Sequence, residues 1–427
     1  APQMVMAYSG TGFGGISRCM HEFVRHHVVR PQWQGKERPV LVNSWEALYF
    51  KINRAKLIKL AKEAKAVGAE LLVVDDGWFV GRSDDTQALG DWTEDTKKLP
   101  GGFTALAEDF RKIGIGLGVW VEPEMISEKS QLFRDHSDWI LGHRTQAIGR
   151  NQYILDLGRS EVCDYVYESV ARLLRGGNVQ YIKWDMNRNS VALGARSHRY
   201  ILGLYDVLRR IFSSRSHILL ENCASGGNRF DLGMLCFGPQ IWCSDDTDPI
   251  ERIAIQESLS YLYPQSTFGA HVSAAPLAQT LRQTPLATRG NVSFFGCLGY
   301  ELDLKHLLPV EEQEIKAQIA FYKQYREIFQ FGQFRRIRDG WQVSRGNVAL
   351  AGIYSGLVHA APGYQWLRLK DLNPKVRYHV TSRDQHLRIG PFGALVAHIA
   401  PVSLDPHGAI LRFADRHFTL PDGKEDI

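Results

Sequence analysis

In the stretch Tyr181-Ile182-Lys183-Trp184-Asp185-Met186-Asn187-Arg188 a short β-prone run delivers a cation and a carboxylate to the end of a strand. That is where α/β barrels keep their chemistry. Further along, the apolar run Ile241 to Cys243 leads into Ser244-Asp245-Asp246-Thr247-Asp248, which places a second carboxylate group at a strand end. Two carboxylates on separate strand ends suit glycoside cleavage, which works with such a pair. Each also has an ordinary reading, since an Asp that follows a strand commonly caps a helix or closes a turn. The run Asp245 to Asp248 precedes Pro249 and the helical pattern Ile250 to Ile255, so one of its carboxylates caps that helix with Pro249 in the first turn.

Outward from these two runs the chain alternates strand and helix. Pro39 to Trp45, Leu71 to Asp75, Gly116 to Val121, Val179 to Asp185, His217 to Leu220 and Ile241 to Cys243 read as strands. Between them Asn53 to Val67, Phe103 to Ile113, Glu161 to Leu174 and Arg199 to Ser213 read as helices, and a further helix starts near Glu251. Repetition of this kind to about residue 330 predicts a parallel sheet covered by helices, of a length that fits an eight-stranded (β/α)8 TIM barrel. From 331 the texture changes to short runs rich in Val, Ile and aromatics between turn residues: Trp341 to Ser344, Val348 to Tyr354, Trp366 to Leu369, Val376 to Val380, Ala394 to Ile399 and Ala409 to Phe413. These predict a small C-terminal antiparallel β-sandwich. The expected organisation is a lead-in segment at 1–38, a barrel at 39–330 and the sandwich at 331–427. Within the lead-in, Met20 to His27 reads as a helix, with its histidines on the surface or in packing rather than at a metal.

Composition excludes several classes of function. A content of 44% hydrophobic and 23% charged residues is that of a globular chain with ample core material. Against 46 acidic residues stand 51 Lys and Arg, a net charge of +5 scattered along the chain, so no nucleic-acid partner is expected. No run approaches the roughly eighteen apolar residues of a membrane span, and no secretory layout opens the chain, so no membrane partner is expected either. The six cysteines form no Cys-x-x-Cys pair and no zinc spacing. They read as reduced thiols, which favours a cytoplasmic protein without a metal site. Gly10-Thr11-Gly12-Phe13-Gly14-Gly15 lacks the Gly-x-Gly-x-x-Gly spacing of a dinucleotide site, and no cofactor is expected.

Nearly every predicted strand ends in residues suited to a sugar: Asn43-Ser44-Trp45-Glu46, Asp75-Asp76-Gly77-Trp78, Trp120-Val121-Glu122-Pro123-Glu124, Lys183 with Asp185, and Glu221-Asn222-Cys223-Ala224-Ser225-Gly226-Gly227. Sugar hydroxyls donate and accept at once, so carboxylates serve as acceptors and Lys or Arg as charge-assisted donors. Asp75 and Asp76 suit two adjacent hydroxyls. Trp45 and Trp120 suit the apolar face of the ring, although tryptophan serves cores equally well. Arg150 in Gly149-Arg150-Asn151-Gln152 reads as either an inward or a surface side chain.

Taken in order, these strings, with Leu89-Gly90-Asp91-Trp92 and the runs at 183–188 and 244–248, resemble glycoside hydrolase family 36, the α-galactosidase (melibiase) family, across most of residues 20–330. The resemblance implies a retaining, exo-acting α-galactosidase that removes terminal galactose from melibiose and raffinose-type oligosaccharides without a cofactor. It implies Asp185 as nucleophile and Asp245 as acid and base. Asp75 and Asp76 would hold the O4 and O6 region of galactose and Lys183 the ring hydroxyls, with Trp45, Trp120, Arg150, Asn187, Cys223 and Ser225 lining the pocket. Galactosyl transfer, α-N-acetylgalactosaminide hydrolysis and galactoside binding without catalysis remain alternative readings of the same residues. Family members carry a large β-rich domain ahead of the barrel where about 38 residues stand here. A homo-oligomer and the outer wall of the pocket, which family members build with that domain, are therefore left open.

Overall fold

The computed structural model describes residues 4–356 apart from 144, 145, 147, 177 and 190, residues 367–388 apart from 374 and 376, and the segments 394–399, 402–404 and 416–419. Eight strands close into a barrel: β1 Leu41–Asn43, β2 Leu71–Val74, β3 Gly116–Val121, β4 Val179–Trp184, β5 Leu219–Asn222, β6 Gln240–Trp242, β7 Phe268–Ser273 and β8 Cys297–Glu301. Their spatial order follows the chain, so the predicted (β/α)8 barrel is the observed fold. Two compact units divide the described residues: 28–245 with 299–305, and 1–27 with 246–298 and 306 onward.

In the first unit the parallel register runs Leu41↔Leu71, Leu72↔Leu117, Trp120↔Lys183, Lys183↔Glu221 and Asn222↔Ile241. Leu41↔Gly299 joins β1 to β8. Strands buried on both faces read as continuous apolar runs. Leu71–Val74 and most of Gly116–Val121 do so. The helix Arg54–Val67 shows why the covering layer forms where it does. Asn53 caps it by accepting from the Lys56 backbone, Gly68 ends it in a left-handed turn, and Leu57, Leu60, Ala61, Ala64 and Val67 make one buried stripe.

In the second unit the helix Pro249–Leu259 starts as expected, with Pro249 at its first position and the Asp248 side chain accepting from the Ile250 backbone. The long helix Pro309–Phe331 is fixed by Tyr322, whose hydroxyl donates to the Gly296 carbonyl at 2.6 Å. The expected N-terminal helix is present as Phe13–Phe23, running on into a wider turn at Val24–Val28. Beyond it β9 Gln333–Ile337, β10 Gly340–Arg345 and β11 Val348–Ile353 form an antiparallel sheet. β12 Tyr378–Val380 pairs with β15 Val402–Leu404, and β14 Ala394–Ile399 lies between β13 Gln385–Arg388 and β16 Arg416–Thr419. The C-terminal part is thus antiparallel, as predicted. One expected strand is corrected: residues 367–369 of the 366–369 run are not in a strand, and residue 366 lies outside the described residues. The expected strand at 409–413 lies outside them altogether. No described helix is long and apolar enough to cross a membrane.

Candidate active site

The strand ends of the first unit build one polar cluster. At the end of β1, Asn43 donates from Nδ2 to Asp75 Oδ2 at 2.8 Å, and Ser44 Oγ accepts from the Asp75 backbone at 2.9 Å. The first strand therefore orients the carboxylate that ends the second. Asp75 Oδ2 also meets Lys183 Nζ at 3.1 Å, with both side chains buried. Asp76 is held differently, by Arg82 through Nε and Nη2, the latter at 2.7 Å. Burial pushes the Asp76 carboxyl up, and Arg82 works against that. Burial also opposes the charge on Lys183, but Asp75 and then Glu301 outweigh it and hold its pKa well above the usual lysine range.

Asp185 follows β4 and is buried. Trp120 Nε1 donates to its Oδ2 at 3.0 Å, Asn187 Nδ2 to the same oxygen at 2.7 Å, and the Met186 backbone to Oδ1 at 2.8 Å. The Cys223 thiol donates to it as well. Burial alone would raise this carboxyl. Lys183, Cys223, Trp120 and Asn187 together bring it below the usual aspartate value. Burial pushes the Cys223 thiol well up, so it acts as a donor rather than as a thiolate.

Asp245 follows β6 and takes a hydrogen bond from Trp242 Nε1 at 2.9 Å. The residue is exposed, yet enough of the protein surrounds its carboxyl that desolvation raises its pKa, with the Asp185 charge adding to the rise. Gly226 brings the β5 loop against this position. At a φ of +86°, a Cβ on Gly226 would lie 2.8 Å from Ser244 Cα and 2.9 Å from Asp245 N. Only glycine fits so close an approach in that conformation.

Of the residues singled out in the sequence, Asp75, Lys183, Asp185, Trp120, Asn187, Cys223 and Asp245 are linked by contacts or by electrostatics, and Ser225 joins them by donating to Asn187 Oδ1 at 3.1 Å. Trp45 is half-buried after β1, its backbone N–H held by Asn43 Oδ1 and its ring set edge-on to Tyr49 and Phe50. Asp76 reaches the cluster through the Asp75 carboxylate, which accepts its backbone N–H. Arg150 is exposed in a left-handed turn, where it bears electrostatically on Glu122.

Sequence reading passed over three contributors. Glu301, buried at the end of β8, acts on Lys183 and Asp245. Its signal was the carboxylate ending the run Cys297 to Tyr300. Arg82 and Trp242 orient Asp76 and Asp245, and their only signal was proximity in sequence. Among the described residues no group of three or more His, Cys, Asp or Glu is placed to hold a metal ion, and all six cysteines are free thiols.

Such a fold and such a cluster define a barrel protein whose strand ends bring together carboxylates, tryptophans and a buried lysine. Comparison with known proteins agrees. The chain belongs to the melibiase family, whose model matches residues 1–332, so the family resemblance read from the motifs is borne out. It is 42% identical over 400 residues to α-galactosidase AgaA of Geobacillus stearothermophilus, an alignment covering 89% of this chain and 55% of that protein. The crystal structure of an α-galactosidase from Lactobacillus brevis superposes with a TM-score of 0.85 at 39% identity, covering 99% of this chain and 56% of that one. A variant of AgaA crystallised with raffinose gives a TM-score of 0.83 at 39% identity over 95% of this chain and 58% of that one. The chain thus spans little more than half the length of these relatives.

Proposed function

We propose that the chain hydrolyses terminal α-linked galactose from raffinose-type galactosides with retention, through a covalent galactosyl ester on Asp185. The observation that carries this reading is the opposed surroundings of two carboxyls at barrel strand ends. Asp185 is kept ionised by Lys183, Cys223, Trp120 and Asn187, and Asp245 is pushed towards its protonated form by desolvation and by Asp185. A retaining glycosidase needs that combination of an ionised nucleophile and a protonated acid. The Asp185 carboxylate attacks the anomeric carbon while Asp245 gives its proton to the departing glycosidic oxygen. Asp245, now a carboxylate, takes a proton from the water that cleaves the ester, which restores both groups.

Asp75, Asp76 and Lys183 supply acceptors and a donor for the galactose hydroxyls, and Trp45 and Trp120 supply apolar surface for the ring. The kinship to α-galactosidases, one of them crystallised with raffinose, supports galactosides as the substrate class. Asp185→Ala is expected to abolish hydrolysis of an aryl α-galactoside, and added azide to return part of the turnover as β-galactosyl azide. Turnover by Asp185→Ala at the parent rate overturns the assignment.

A further inference from the structure

Glu122, at the C-terminal end of β3, is a buried carboxyl that the mechanism above leaves without a task. Its Oε1 accepts from Gln152 Nε2 at 2.8 Å and, at short range, from the Asn187 backbone N–H. Asn187 in turn donates from Nδ2 to Asp185 at 2.7 Å and accepts from Ser225 Oγ at 3.1 Å. Gln152, Glu122, Asn187 and Asp185 therefore form one chain of buried contacts, in which Glu122 fixes the backbone of the residue that holds the carboxylate. The geometry points to Glu122 as a positioning residue for Asp185, acting through Asn187; this inference rests on the reading of Asp185 as nucleophile.

The form of Glu122 that does this is the neutral acid. Burial and then the Asp185 charge push its carboxyl up, against the Asn187 hydrogen bonds and the charge of Arg150. A carboxylate here would set a second buried negative charge near that of Asp185. As a neutral acid, Glu122 accepts through Oε1 from both of its donors, and an amide reproduces that. Asp185 is faced by Lys183 on its own strand, by Glu122 after β3, by Cys223 and Arg229 after β5, and by Asp245 after β6, while Arg150 bears on Glu122. Of these only Glu122 acts on it through Asn187.

The test compares the full chain with Glu122→Ala and Glu122→Gln on an aryl α-galactoside across pH. Rates are expressed per site that binds a galactose-configured iminosugar in calorimetry, which removes any unfolded fraction. Glu122→Ala frees Asn187, so kcat is expected to fall on the order of 100-fold, as small misplacements of reacting groups do, with KM within about 3-fold because Asp75, Asp76 and Lys183 still hold the sugar. The acid limb of kcat/KM is expected to move to higher pH, since a carboxylate that loses a donor binds its proton more tightly. Glu122→Gln is expected to restore kcat and leave the acid limb in place. Glu122→Ala with parental kcat and acid limb overturns the inference. So does Glu122→Gln if it is as slow as Glu122→Ala, or if it moves the acid limb downward, which would mean that a charge had been removed. A parent chain without turnover on any α-galactoside would count against the proposed function itself.

Discussion

Lys183 bears on both carboxyls of the proposed catalytic pair, and in the same direction. It lowers Asp185, and it lowers Asp245 against desolvation and the Asp185 charge. In a retaining mechanism the acid limb of the pH profile reports the nucleophile losing its charge, and the alkaline limb reports the acid losing its proton. Removing the cation raises both pKa values. Lys183→Met is therefore expected to shift the whole bell of kcat/KM against pH upward, besides lowering its height because Asp75 loses its ion pair. A profile that keeps its position while only the height falls would mean that Lys183 binds sugar without tuning either carboxyl. At this scale the sequence was informative where an unusual residue type stands next to another, as Lys183 does to Asp185. It was silent on Glu122, whose part depends on Asn187, 65 residues away.

The elements place these residues by their ends, and the loops after β5 and β6 are fitted to each other at Gly226. Ala at that position meets two penalties, a left-handed backbone and a Cβ pressed into the backbone of Ser244 and Asp245. Gly346 has a φ of +60° and open space around its missing Cβ, so Ala there meets the first penalty alone. Gly346→Ala is expected to cost about 1 kcal/mol in urea unfolding through backbone strain, and Gly226→Ala more, because the clash adds to it. Only Gly226→Ala is expected to lower kcat as well, by roughly 10- to 100-fold, because Asp245 must move. Equal kcat in the two variants would show that Gly226 serves its turn and nothing more. Strands β1 to β6 were legible because β-branched and aromatic runs stop abruptly at polar residues. β7 and β8 were not located: Phe268–Ser273 carries Gly269, His271 and Ser273, and Cys297–Glu301 has neither alternation nor β-branching, since strands buried on both faces need no alternation. Glu301 was lost with them.

For the whole chain, the parallel sheet covered by helices followed from alternation, and the (β/α)8 class from the length over which it repeats. What alternation does not disclose is which buried polar groups the fold must keep neutral, and His21 is one of them. Its Nε2 lies 2.8 Å from the Ser260 carbonyl, to which it donates when the proton is on Nε2, and it is almost fully buried. Burial, then Arg25, lowers its pKa from 6.5 to about 3, with Arg336 and Arg335 adding to the shift and the Ser260 bond opposing it. Between those two values the unfolded chain takes up a proton that the folded chain refuses, so unfolding is favoured as pH falls. The contribution of neutral His21 is complete above about 6.5 and drains away as the pH is lowered towards 3, at up to about 1.4 kcal/mol per pH unit. His21→Gln keeps a neutral donor and removes the titration. Urea unfolding of the parent is expected to lose more free energy between pH 7 and pH 5 than that of His21→Gln. The two slopes are expected to coincide above pH 7, where His21 is neutral in both states. Parallel slopes throughout would mean that His21 takes up its proton without unfolding, and that the contact with Ser260 opens in the native chain.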